Sequence, residues 1–93
     1  MQSISVTYSD SKLRILVEEF IAMQKSGFSF KEVCSYILYR AMEEERTTNT
    51  GLYDSNQLYE DDCIRVNNIL EMIKCEGRIK EDACGNEMLY LKQ

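Results

Sequence analysis

The chain has 93 residues, of which 44% are hydrophobic and 29% charged, a composition typical of one small globular domain spanning residues 1–93. It contains no histidine, which excludes catalytic triads and histidine-ligated metal sites. Its net charge of −5 disfavours non-specific binding to nucleic acid, because such binding needs a basic surface.

The cysteine spacing and the chain's apolar segments limit the remaining classes of protein. The four cysteines contain no Cys-x-x-Cys pair, so we expect free thiols in a cytoplasmic protein rather than a metal site. No apolar run approaches the roughly 20 residues of a membrane span, and no secretory signal opens the chain. Without a Gly-rich phosphate loop or a usable carboxylate pair, we expect no enzyme activity and no cofactor.

The first third of the chain predicts a strand followed by a helix. Residues 3–8 alternate apolar and small polar side chains, which predicts a strand that must pair with another segment. Helix-capping residues at positions 9–11 predict a helix over residues 11–25, ended by Ser26-Gly27. The buried stripe predicted for this helix consists of Leu13, Leu16, Val17, Phe20 and Ile21.

Two further helices are predicted. Ser29 and Glu32 fit a capping box, so the second helix is expected over residues 31–46, after a short extended link. A polar loop over 47–57 precedes a third helix over 57–76, whose early turns are acidic, as the helix dipole favours. The expected buried positions are Val33, Cys34, Ile37, Leu38 and Ala41 in the second helix and Cys63, Val66, Ile69, Leu70 and Ile73 in the third.

The end of the chain suggests a family. Gly77 is expected to end the third helix in a left-handed conformation, and residues 78–92 alternate like a β-hairpin with Gly85-Asn86 at its turn. A helix running through glycine into a hairpin resembles the third helix and wing of winged helix-turn-helix proteins. The resemblance implies a small α+β fold with an N-terminal strand, three helices and a C-terminal hairpin wing. Residues 28–30 would form the small strand that pairs with the wing.

That resemblance also implies a function. In the family, the third helix reads base edges, and residues 66–70 would occupy the matching place. The chain would then be a cytoplasmic transcriptional regulator that binds DNA. The residues expected to contact nucleic acid are Arg65, Asn67, Asn68, Arg78 and Lys80. The three positions on the helix, Arg65, Asn67 and Asn68, also fit ordinary solvent-facing residues.

An alternative function is an acidic winged-helix-like module or inhibitor, of the phage or mobile-element type, that binds protein and not DNA. Asp61, Asp62 and Glu71 would repel phosphates from the third helix, whereas an exposed apolar strip there suits a protein partner. We expect a homodimer built on the N-terminal strand and the second helix. The candidate protein-interface residues are Val6, Tyr36, Tyr39, Ile64 and Met72.

The first half of the chain also resembles a ribbon-helix-helix protein. In that family, a short N-terminal strand precedes two helices, and strands from two chains pair to enter the major groove. Ser3, Ser5 and Thr7 would then be the base readers. This second resemblance covers roughly half of the chain and leaves residues 47–93 without an explanation.

Overall fold

The computed structural model describes residues 3–47, 57–58, 60–84 and 87–92. They form a small α+β domain that contains three helices and a three-stranded antiparallel sheet. The helices are α1 (Asp10–Met23), α2 (Phe30–Glu43) and α3 (Glu60–Cys75). The strands are β1 (Ser3–Ile4), β2 (Phe28–Ser29), β3 (Gln57–Leu58), β4 (Ile79–Cys84) and β5 (Glu87–Lys92).

Helix α1 begins as the sequence predicts but ends earlier. The Ser9 hydroxyl accepts a hydrogen bond from the Lys12 N–H at 3.2 Å, and all five predicted stripe residues are buried. The helix stops at Met23, not at Ser26-Gly27. Gly27 instead lies close to β5, where a Cβ would be 3.2 Å from the Tyr90 carbonyl oxygen and 2.7 Å from Leu91 Cδ2.

Helix α2 contains the predicted capping box and its five predicted core residues are buried. The Glu32 N–H donates to the Ser29 hydroxyl at 3.2 Å, and the Ser29 N–H donates back to the Glu32 carboxylate. The helix ends at Glu43, short of the predicted residue 46, because Glu45 turns the chain with a φ of 58°. The Arg46 N–H then donates to the Ala41 carbonyl at 2.7 Å, which closes a Schellman motif.

Glu45 gives a stability prediction, because a side chain is strained in the left-handed region that glycine adopts freely. We expect Glu45→Gly to raise the free energy of unfolding by about 0.5–1 kcal/mol. Urea denaturation followed by circular dichroism is the measurement. The control is Glu45→Ala, which removes the same charge but keeps the strain, and an equal gain from Ala would contradict the backbone explanation.

Helix α3 ends as predicted and begins later than predicted. Four of its five predicted core residues are buried, whereas Cys63 is only partly buried and packs against the core. Gly77 has a φ of 79°, its N–H donates to the Lys74 carbonyl at 2.9 Å, and the Arg78 N–H donates to the Ile73 carbonyl at 3.3 Å. The start of the helix lies at Glu60 rather than near residue 57. The reason is that β3 takes part of the expected first turn and pairs in parallel with β1.

The three-stranded sheet covers one side of the core. Its strand order is β2-β5-β4, with β2 and β4 each antiparallel to β5. The hairpin is confirmed, although its turn lies outside the described residues. Phe28 of β2 is fully buried, with its ring stacked on Tyr90 at 5.5 Å between centroids and in edge contact with Phe20 at 5.4 Å.

The N-terminal segment pairs within its own chain. After the short β1–β3 pair, Val6 forms a bridge with Thr47, and the Thr7 N–H donates to the Arg46 carbonyl at 2.8 Å. The strand predicted over residues 3–8 is thus shorter than expected, consisting of β1 and the Val6 bridge. The predicted alternation holds over residues 6–8, because the Val6 and Tyr8 side chains are buried while Thr7 is exposed. The N-terminal segment therefore finds its pairing partner in residues 47 and 57–58 of its own chain. The expected strand-mediated dimer was based on the lack of such a partner.

Candidate interaction surface on α3

Asp62 is the one buried charged residue of the described part, with 4% of its surface exposed. Its Oδ2 accepts hydrogen bonds from the Ser5 hydroxyl and the Val6 N–H, both at 3.0 Å, and its Oδ1 accepts one from Arg65 Nη1 at 2.9 Å. The carboxylate therefore attaches the N-terminal segment to α3. The sequence did contain a signal for this position, because Asp62 lies four residues before Val66 on the buried stripe of α3.

Arg65 is used inside the fold rather than presented to a ligand. Besides its bond to Asp62, its Nε donates to Asp10 Oδ1 at 2.8 Å and its Nη2 donates to the Tyr8 carbonyl at 2.6 Å. Three partners thus occupy the three nitrogens of the guanidinium. To contact a phosphate or a guanine, Arg65 would have to give up bonds that hold the N-terminal segment in place.

Arg78, at the base of the hairpin, is also paired with carboxylates. It hydrogen-bonds to Glu18 of α1 and lies 3.7 Å from Glu76. Glu76 also receives both 2.8 Å bonds of Arg14, and this hydrogen bonding lowers the pKa of the Glu76 carboxyl. These four residues neutralise one another where α1 meets the end of α3.

Lys80 is exposed on β4, but its neighbours along the strand are the exposed acids Glu81 and Asp82. Glu81 reaches Lys74 of α3 at 3.2 Å. The sequence-predicted nucleic-acid residues thus do not form one basic surface: Arg65 and Arg78 are in ion pairs, and Lys80 is beside acids.

The outward face of α3 carries an exposed stripe of two apolar residues with an asparagine between them, here called the α3 stripe: Ile64, Asn68 and Met72. Their spacing of four residues places them on one side of the helix, and the isoleucine and methionine are 53% and 48% exposed. This exposure was predicted from the helix periodicity. Asn67 is exposed too, on the flank of the stripe.

A groove lies between the α3 stripe and α1. Asn68 and Met72 form its α3 wall together with Arg65, and Asp10, Ser11 and Arg14 form its α1 wall. Ile69, which is almost fully buried, also lines it. The surface therefore combines a projecting ridge with an adjoining groove.

The charge of this face is negative. Helix α3 presents three acidic residues, Glu60, Asp61 and Glu71, and two basic ones, Arg65 and Lys74. Asp62, expected from the sequence to repel phosphates together with Asp61 and Glu71, is instead buried and bonded to Arg65. Both basic residues are paired within the fold, Lys74 with Glu71 at 3.0 Å. Among the described residues, Glu60 and Asp61 have no cationic partner within ion-pair distance, and both are exposed.

Comparison of the chain with protein-family models, curated proteins and solved structures found no match. The candidate surface is consequently judged on its own geometry.

The two tyrosines expected at an interface lie in different environments. Tyr36 is half-buried, its ring 5.3 Å from that of Phe20, and its hydroxyl accepts a hydrogen bond from Arg40 at 2.8 Å. Tyr39 is 62% exposed and lies beside the exposed Met42. Only Tyr39 offers most of its surface to another molecule.

The thiols described by the structure are free: Cys34, Cys63 and Cys75. Burial, followed by the neighbouring Cys63 thiol, raises the pKa of Cys34 to about 12. Burial also raises the pKa of Cys63, so both thiols stay protonated and weakly nucleophilic at neutral pH. The side chain of Cys84 lies outside the described part.

Among the described residues, no three acidic or cysteine side chains are grouped so that they could hold a metal ion. None of the helices in those ranges combines the length and the apolar character that crossing a bilayer requires.

Proposed function

We propose that this chain is a winged-helix-like module that binds another protein through the α3 stripe. The helix and strand order supports the winged-helix part: β2 lies between α1 and α2, pairs with β5, and leaves β4 at the outer edge. In such a fold α3 stands where the family places its reading helix. The parallel β1–β3 pair is an addition to that arrangement.

The proposal rests on one observation, that the guanidinium of Arg65 is already hydrogen-bonded within the fold. A reading helix needs cations that can reach phosphates and base edges, and this guanidinium is bonded to Asp10, Asp62 and the Tyr8 carbonyl. The large apolar side chains that α3 presents to solvent are Ile64 and Met72, with the exposed acids Glu60 and Asp61 on the same helix. An apolar strip with charged surroundings is the composition of a protein-docking surface.

DNA binding remains the second candidate, because the element order itself favours it and because Asn67 and Asn68 are exposed on α3. Two adjacent amides could pair with adenines in a major groove. Against it, phosphate contacts supply most of the affinity of DNA-binding proteins, and the described cations nearest this helix are already neutralised.

Two measurements test the proposal together. A random peptide library is selected against the wild type, against Ile64→Asp/Met72→Asp and against the control Ile15→Asp/Met42→Asp. The control residues are 48% and 47% exposed, nearly matching the 53% and 48% of the stripe residues. We expect peptides to be enriched on the wild type and the control and not on the stripe variant.

In parallel, the fluorescence anisotropy of labelled random-sequence duplex DNA is followed during titration with the wild type. We expect no saturable binding at physiological ionic strength. DNA binding that is lost in Asn67→Ala/Asn68→Ala, with no stripe-dependent peptides, would replace the proposal with the DNA-binding function.

A further inference from the structure

We infer that the partner docked on the α3 stripe is an amphipathic helix whose apolar face is bordered by lysine or arginine. This inference rests on the proposed function, since it names the kind of protein segment that the same surface would take. It follows from the shape of the surface and from the charges around it.

The shape suits a helix. Ile64 and Met72 are eight residues apart, so the ridge that they form with Asn68 runs roughly 12 Å along α3, a little over two turns. The groove beside it is walled by Asp10, Ser11 and Arg14 of α1 and by residues 65–72 of α3. The two arginines that line it are already paired with carboxylates. A ridge and groove of this length match the apolar face of one helix, which presents side chains at every third or fourth position. Methionine is well suited to such a contact because its side chain adapts to different shapes.

The charges around the α3 stripe favour a positively charged partner. Glu60 and Asp61 lie at the amino-terminal end of the stripe and have no cationic partner among the described residues. Glu71 lies towards the other end, where the single cation that it contacts, Lys74, is shared with Glu81. With a net charge of −5 on the whole chain, an approaching cationic segment is attracted and an acidic one is repelled.

The same charges weigh against the other occupants of this surface. A second copy of the chain could dock α3 against α3, or α3 against the exposed face of α2. In a parallel α3 pair Glu60 and Asp61 would face their own copies, and in an antiparallel pair centred on Asn68 Glu60 would lie opposite Glu76. Against α2 they would face a surface that carries Glu43 beside Tyr39 and Met42. Each of these arrangements brings like charges together, which costs affinity.

The test uses two designed peptides of equal length, a leucine-lysine amphipathic helix and a leucine-glutamate one. Each is titrated into the ¹⁵N-labelled full chain, with anisotropy of the labelled peptide giving the dissociation constant. We expect the lysine peptide to bind at least about tenfold more tightly and to lose affinity as salt is added. Its chemical-shift changes should centre on Ile64, Asn68 and Met72. A lysine peptide of scrambled sequence, without an apolar face, should bind weakly.

Matched variants separate the apolar contribution from the electrostatic one. Met72→Ala should lower the affinity for the lysine peptide about tenfold. Met42→Ala, at an equally exposed methionine of α2, should leave this affinity unchanged. Glu60→Gln/Asp61→Asn should weaken binding and reduce its salt dependence, whereas Glu43→Gln should not.

The outcomes distinguish this inference from the function beneath it. If the glutamate peptide binds the α3 stripe as tightly as the lysine peptide, the partner chemistry is overturned and the docking function stands. The inference also fails if the lysine peptide binds but shifts the resonances of residues outside the stripe. It fails likewise if the affinity of that peptide is unchanged in Glu60→Gln/Asp61→Asn. If neither these peptides nor any library peptide binds the stripe, the proposed function itself is refuted.

Discussion

Replacing Asp62 with alanine is expected to lower the free energy of unfolding by about 3 kcal/mol. The change leaves the Val6 N–H without its acceptor and removes one of the three partners of Arg65. It also releases the Ser5 hydroxyl from α3. Because a buried donor that loses its acceptor forfeits its full desolvation cost, the loss should exceed that of an ordinary surface substitution.

Urea denaturation followed by circular dichroism measures this effect, and the neighbouring residue supplies the control. Asp61 is exposed, and Asp61→Ala should change the free energy of unfolding by no more than about 0.5 kcal/mol. Amide hydrogen exchange gives a local readout, in which the Val6 and Thr7 amides should lose protection first in the Asp62 variant. Equal effects at positions 61 and 62 would contradict the network.

Replacing Val6 with aspartate should cost about 4 kcal/mol or more and prevent stable folding. The Val6 side chain is 5% exposed within a single chain, and its backbone N–H already donates to the Asp62 carboxylate. A new carboxylate at position 6 would be desolvated and close to one of the same sign. If residue 6 lay at a dimer interface instead, as the sequence suggested, the substitution would separate subunits and leave them folded.

Protein concentration separates these two explanations of Val6→Asp. Loss of structure at every concentration, with Val6→Thr much milder, is the expected result. A folded variant that sediments as a monomer, beside a dimeric wild type, would restore the interface role of Val6. Self-association of the wild type stays a prediction, and the exposed Tyr39 and Met42 of α2 are the residues on which it would now be built.

Much of the fold was predictable from local sequence. The capping box of Ser29 and Glu32, the glycine stop at Gly77 and the buried stripes of the helices depend on contacts within a few residues. The partner of the N-terminal segment was not predictable, because the pairing of β1 with β3 joins residues distant in sequence. The late start of α3 follows from the same pairing.

The candidate surface was predictable in part for a similar reason. The helix periodicity correctly placed Ile64 and Met72 on the outside of α3. The pairing of Arg65 with Asp62, three residues before it, is local. The other partners of Arg65 and Arg78 could not be predicted, because Asp10 and Glu18 lie 55 and 60 positions away along the chain. An arginine that could bind a ligand, as judged from the sequence, can be ion-paired in the fold with a carboxylate from a distant part of the chain.

The β2–β5 pair has a consequence for the order in which the chain folds. The β4–β5 hairpin can form from neighbouring residues, but its third strand reaches it only when Phe28 meets Tyr90, across α2, α3 and everything between them. Closing so large a loop costs conformational entropy, and the contact between Phe28 and Tyr90 stabilises the fold only after the loop has closed. We expect the helices and the hairpin to precede this closure, so that substitutions at Phe28 accelerate unfolding more than they slow folding.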